Sequence, residues 1–240
     1  MRFTISREGG ITRDGVLVVE VPTQAEDLLH ELESVIRHHI ALHAKDHLFI
    51  HAGVVGVDGV AVVIPGASRS GKTTLVTEFL RAGASYYSDE YAVVDPTGSV
   101  HPYAKPLSVR ERGGIARSAA SVPVPAELTG CDPIRAGLIV VTEYRSGAEW
   151  SGRRCSRAEA ALALVQNTVA ARRRPADTFQ AAVQLTQEAH TIRGSRGEAS
   201  RVVGLLLDLA QSVSADSKAR SRSRTSCSIG VSPPGSRPRK

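Results

Sequence analysis

The octapeptide Gly66-Ala-Ser-Arg-Ser-Gly-Lys72-Thr73 constrains this chain more than any other feature of its sequence. Two glycines, a lysine and a hydroxyl residue stand at the offsets of a phosphate-binding loop, between the apolar run Val60–Pro65 and a helical stretch from Lys72 to Ala82. A strand that turns directly into a helix aims backbone N–H groups and the positive end of the helix dipole at one spot, which favours phosphate oxygens. Gly66 permits the tight turn, Gly71 the close approach of the backbone. Lys72 is placed to neutralise the β- and γ-phosphates, and the Thr73 hydroxyl to ligate Mg²⁺. The expected nucleotide contacts run through Gly66, Ala67, Ser68, Arg69, Ser70, Gly71, Lys72, Thr73 and Thr74, with ATP or GTP and Mg²⁺ as ligands.

The flanking patterns predict an α/β fold with a mixed sheet and a small β-rich N-terminal appendage. Arg2–Ser6 and Val16–Val21 read as short strands, with Gly9-Gly10 and Asp14-Gly15 as turn signals. Thr23-Gln-Ala-Glu26 is a capping box, and Leu28/Leu29, Leu32, Val35/Ile36 and Ile40 then recur at helical spacing to about Ala44. Leu48–Val57 and Val60–Pro65 pair across Asp58-Gly59 as a hairpin. Gly83 stops the helix after the loop, and a strand Ser85–Ser88 leads into Asp89-Glu90. Tyr91–Asp95 and Ser99–Tyr103 form a further hairpin around Pro96-Thr-Gly98. A Gly- and Pro-rich stretch fills residues 110–133, and Ala136–Glu143 reads as a buried strand. The last third reads as helical, opening at the capping box Ser156-Arg-Ala-Glu159, at Asp177 and at Glu198, the last helix ending at Val213. The chain thus divides into an appendage over 1–45, a core over 46–213 and a basic tail over 214–240.

Charge is informative only once it is located. Of 30 Lys and Arg, seven lie between Ser217 and Lys240 without any acid, so the first 216 residues hold 23 basic against 24 acidic groups, a net of −1. The tail has too little apolar content to offset its ordering entropy and is expected to be disordered, the one segment through which nucleic acid would bind. No run of about 18 uncharged apolar residues exists, and the N-terminus lacks a signal-peptide core, so a cytoplasmic location is expected and no membrane span. Cys131, Cys155 and Cys227 are too scattered for a disulfide framework or a zinc site. His39, His43 and His47 share a helical face, but without an H-E-x-x-H pattern they read as surface or boundary residues.

Binding becomes catalysis only if a group activates an acceptor hydroxyl. Asp89 and the adjacent Glu90 come after the first strand beyond the loop, where the two acids can divide proton acceptance from metal coordination. Glu143, after the strand Leu138–Thr142, is a rival, and spacing alone leaves both open.

His51-Ala-Gly-Val-Val, the loop, Leu80-Arg-Ala-Gly83 and Ser88-Asp-Glu90 together resemble the catalytic domain of HPr kinase/phosphorylase, a bacterial serine kinase family related to phosphoenolpyruvate carboxykinases. The resemblance covers about residues 45 to 115 and extends more faintly to 213. It implies His51 near the phosphoryl-transfer site, Asp89 as the base taking the acceptor's proton, and Mg²⁺ held by Thr73 with acidic help from Glu90. The family's Glu-Ile-Arg-Gly motif corresponds loosely to Val109–Gly113, which brings in Glu111 as a metal candidate. The family is hexameric, so the resemblance also implies self-association. Arg69 stands where the family has glycine and Glu90 where it has a second aspartate, and only about fifty residues precede the core, which is closer to the family's shorter members.

Two functions emerge as expectations. One is an ATP- and Mg²⁺-dependent kinase acting on a hydroxyl of a protein, peptide or small molecule, with Lys72, His51 and Asp89 at the site and Arg69 or Arg110 adding a cationic contact. The other is a nucleotide-binding regulator that transfers no phosphate.

Overall fold

The computed structural model describes residues 2–6, 10–19, 25–68, 70–109 and 120–227. Strands β1 (Phe3–Ser6), β2 (Gly10–Arg13) and β3 (Val16–Val19) form a small antiparallel sheet, one strand more than the sequence suggested, because Gly10 enters a strand instead of a turn. Helix α1 (Ala25–His43) comes next, and its capping box at Thr23 lies outside the described residues. Its Ala41 packs with Phe49, Tyr91 and Val93.

The main sheet contains β4 (Leu48–Val57), β5 (Val60–Pro65), β6 (Ser85–Ser88), β7 (Tyr91–Val94), β8 (Ser99–His101), β11 (Ile134–Tyr144), β12 (Arg153–Arg154) and β13 (His190–Arg196). Its order is β12-β13-β11-β5-β4-β7-β8, with β6 also paired to β4. A separate ribbon joins β9 (Leu107–Val109) to β10 (Ala120–Val122). The β4–β5 hairpin turns at Asp58 and Gly59, both at positive φ (51° and 91°), the geometry that suits the right-handed strand twist.

Helices cover both faces. α2 (Lys72–Arg81) and α5 (Ala199–Cys227) bury Leu75, Val76, Phe79, Val202 and Leu206 against Val55, Val62, Ile64 and Leu138. On the other face α3 (Arg157–Gln166) and α4 (Pro175–Gln187) bury Leu164 and Leu185 against Ile50, Val54, Val63 and Ile139. The strand residues of these two sets alternate along the sequence, as the period of two requires of a sheet buried on both sides.

The last third departs from expectation in three places. It is not all helix, since β13 runs parallel to β11 in the sheet interior. Its sequence, His-Thr-Ile-Arg-Gly-Ser-Arg, holds a single large aliphatic residue, and neighbouring strands make it a strand where periodicity does not. The final helix also continues past Val213 to Cys227, through residues expected to be disordered; the rest of the tail lies outside the described residues. Residues 214–227 contain no glycine or proline and include Ala, Lys and Arg, so a helix already nucleated on the core propagates through them. Helix α4 opens at Pro175 instead of Asp177, with proline in the first turn, where a missing N–H costs nothing. No helix among the described residues is long and apolar enough to cross a membrane.

Candidate functional site

The site is organised around the middle of β4. On one side of this strand Ala52 pairs with Pro65, so β5 ends and the glycine-rich loop begins beside His51, whose carbonyl accepts the Gly66 amide at 3.1 Å. On the other side β6 and β7 lie antiparallel to β4 in succession, interrupted at Asp89-Glu90, and the Glu90 carbonyl accepts the Ala52 amide at 3.2 Å. The two acids therefore break what would be one continuous strand, instead of ending it at a hairpin. Strands β5, β6, β11 and β13 all run in one direction, so Pro65, Ser88, Tyr144 and Arg196 end on the same edge of the sheet. Ligands of open α/β sheets gather at such an edge.

Within the loop, the Lys72 ammonium donates to the Gly66 and Ala67 carbonyls at 2.8 and 2.7 Å. Burial lowers its pKa, opposed by the charges of Asp89 and Glu90. Gly71 caps α2 with φ 81°, a left-handed conformation that glycine adopts without strain. The Thr73 hydroxyl donates to Asp89 Oδ2 at 3.0 Å. Asp89 is only 5% exposed, and the Ser108 amide also reaches its Oδ2, at 3.4 Å.

The opposite oxygen, Oδ1, lies 3.0 Å from the Tyr86 hydroxyl and 3.0 Å from Lys105 Nζ. The Tyr86 hydroxyl also lies 2.9 Å from the Lys105 carbonyl, and its single proton serves one acceptor at a time. Burial and the adjacent Asp89 charge push the Tyr86 pKa far above the ordinary tyrosine value, so the phenol stays protonated. Glu90 is half-buried, 3.6 Å from Lys105 Nζ and 3.5 Å from Arg37 Nε, which brings α1 to the site.

His51 is half-buried with its ring 4.8 Å from that of Tyr91; burial, then the charges of Lys72 and His38, hold its pKa below the usual range. Glu143 goes to the other flank. Its exposed carboxylate pairs with Arg145 at 3.0 Å, and the residue borders a cavity of about 410 Å³ between the loop, β11 and α3. Gly66, Ala67, Gln166, Asn167 and Arg193 also line that cavity. Arg69, Arg110 and Glu111 lie outside the described residues.

Nothing in the sequence marked Tyr86, Lys105 or Arg196 as members of the site. Arg196, 2% exposed, donates to the Gly71 carbonyl at 2.9 Å and lies 5.7 Å from the centroid of the Tyr144 ring, so it braces the loop from the strand that the periodicity missed. Lys105 sits between β8 and β9, in a stretch without periodicity.

The histidines at the end of α1 form no metal arrangement. His39 and His43 stack at 3.9 Å, His43 Nε2 meets Arg173 at 2.6 Å, and no group of three His, Cys, Asp or Glu suited to a metal occurs among the described residues. What the site offers a metal is the Thr73 hydroxyl with the Asp89 and Glu90 carboxylates. A sparse set of hard oxygens fits Mg²⁺, which keeps its waters and takes further ligands from phosphate.

Fold and sheet define a mixed α/β protein. Among known proteins, no family model matches the chain and no curated protein matches it.

Proposed function

We propose that this chain is an ATP- and Mg²⁺-dependent kinase that transfers the γ-phosphoryl group to a hydroxyl of a protein, peptide or small molecule. The observation that carries this reading is the 3.0 Å bond from Thr73 in the glycine-rich loop to the buried Asp89 carboxylate. It joins the nucleotide-binding element to a group able to accept a proton. The resemblance to HPr kinases supports the same assignment.

The start of α2 and the backbone of the loop hold the phosphates, and Lys72 leaves its carbonyl partners to neutralise the β- and γ-oxygens. When bound, Mg²⁺ would be held by Thr73 and the Oδ2 side of Asp89, with Glu90 adding negative charge nearby, and would neutralise phosphate charge. Asp89 orients the acceptor hydroxyl and takes its proton. A bond forms from the acceptor oxygen to the γ-phosphorus, the bond from that phosphorus to the bridging oxygen breaks, and ADP departs with the electron pair. His51, neutral at pH 7, stands beside the loop as a hydrogen-bonding group.

One observation favours a second reading. Both oxygens of Asp89 already accept bonds from the protein, which suits a regulator that binds nucleotide without transferring phosphate. Incubation with γ-labelled ATP, Mg²⁺ and candidate acceptors separates the two. Lys72→Ala should weaken nucleotide binding, whereas Asp89→Asn should bind nucleotide and lose transfer by about 100-fold or more. Transfer unchanged in both variants rejects the site, and nucleotide bound by wild type with no acceptor labelled favours the regulator.

A further inference from the structure

We infer that Lys105 is the resident counter-cation of the Asp89–Glu90 pair, filling the place that a second divalent ion would take and confining metal to the Thr73 corner. For the nucleotide-bound state this deepens the kinase reading and rests on it; for the nucleotide-free protein it stands alone.

The two oxygens of Asp89 are divided between two neighbourhoods. Oδ2 faces the loop through Thr73, at 3.0 Å. Oδ1 faces Lys105 Nζ at 3.0 Å, and the same ammonium lies 3.6 Å from Glu90 Oε2. It thus sits where an ion bridging the two carboxylates would sit. Its position is built: the side chain is 11% exposed, and Nζ also donates to Ser108 Oγ at 3.1 Å and to the Pro106 carbonyl at 3.3 Å. The backbone is held as well, with the Tyr103 amide on the Tyr87 carbonyl at 2.9 Å and the Lys105 carbonyl 2.9 Å from the Tyr86 hydroxyl.

Two-metal phosphoryl-transfer sites place their ions about 3.5–4 Å apart, each neutralising carboxylates. Here the Lys105 ammonium supplies the positive charge that one such ion would bring to the two carboxylates, and Arg37 at 3.5 Å adds a second positive charge beside Glu90. Without nucleotide the pair is already neutralised. A free divalent ion would have to displace the ammonium and shed its own waters for little electrostatic gain.

The test is a Mn²⁺ titration of the nucleotide-free protein monitored by electron paramagnetic resonance. Lys105→Met should acquire a Mn²⁺ site about tenfold or more tighter than any in wild type, since site affinity depends on the net charge of the ligands. Lys105→Arg should titrate as wild type, and adding Glu90→Gln to Lys105→Met should remove the gain. If Lys105→Met fails to give a cooperative melt, Lys105→Gln removes the same charge. The inference is overturned if the neutral variants bind Mn²⁺ no better than wild type, or if the gain survives Glu90→Gln. Binding of a fluorescent ATP analogue to wild type reports separately on the kinase reading. A Mn²⁺ gain without nucleotide binding sinks that reading and leaves the inference, and an active kinase without the gain does the reverse.

Discussion

Asp95 closes the β7–β8 turn with both carboxylate oxygens. Oδ1 accepts from the Thr97 amide at 2.8 Å, the Thr97 hydroxyl at 2.6 Å and the Ser99 amide at 3.1 Å, while Oδ2 meets His101 Nε2 at 2.8 Å. Partial burial works to raise its pKa, but hydrogen bonds from Thr97, His101 and the backbone outweigh it and hold the acid far below the usual carboxylate range. A depressed folded-state pKa stabilises the fold above the ordinary carboxylate pKa and loses that contribution as pH falls below it. Asp95→Ala should cost about 1–2 kcal/mol at pH 7 by urea unfolding, and the gap to wild type should narrow below about pH 4. His51 acts in a different window. Its pKa is lowered by burial first and then by Lys72 and His38, so the unfolded chain binds the proton more readily. Stability should therefore fall as pH drops below about 6.5, and His51→Gln should flatten the slope between about pH 7 and 5. An unchanged slope in that variant assigns the pH dependence to another group.

At the scale of elements, the contact that sets the site is the approach of α2 to β4. A Cβ on Gly53 would stand 2.8 Å from Val76 Cγ2 and 3.6 Å from Lys72 Cβ, so the helix bearing Lys72 packs where only glycine leaves room. Gly53→Ala should destabilise by about 1–3 kcal/mol and also weaken nucleotide binding, because relief of the clash moves the first turn of α2. Gly137→Ala meets Val60 Cβ at 2.7 Å away from the loop, and should cost stability while leaving nucleotide affinity unchanged. Equal affinity in both variants would show that the α2–β4 approach does not position Lys72. The legible elements were the locally determined ones. The Asp58-Gly59 hairpin forms as its turn residues demand, and Ser156 and Glu159 make both bonds of their capping box. β13 was illegible because the partners that make it a strand, β11 and β12, come from other parts of the chain. The same holds inside the site. Thr73 belongs to the loop pattern and Asp89 directly follows the next strand along the chain, so both could be picked out, whereas Lys105 and Arg196 owe their places to tertiary contacts with no local sequence mark.

Across the whole molecule, charge and packing separate at one point along α5. The helix buries Val202, Leu206, Ala210 and Val213, and the Ser214 hydroxyl donates to the Asp58 carbonyl of the β4–β5 turn at 2.8 Å. From Ala215 to Arg220 every residue is exposed, so the helix continues there on propensity and cooperativity rather than on burial. The seven basic groups after residue 216 change the net charge from −1 to +6, and they begin beyond the point where α5 leaves the core. A truncation after Asp216 should therefore melt within about 2 °C of the full chain, lose helical circular dichroism, and bind nucleotide unchanged. A truncation after Asp208 removes Ala210, Val213 and the Ser214 bond together and should lower the melting temperature by more than about 5 °C. If the two truncations melt alike, the distal turns of α5 stabilise the fold through contacts other than those that end at Ser214. If only the shorter chain is destabilised, the core closes at Ser214 and the basic extension adds charge to a fold already complete without it.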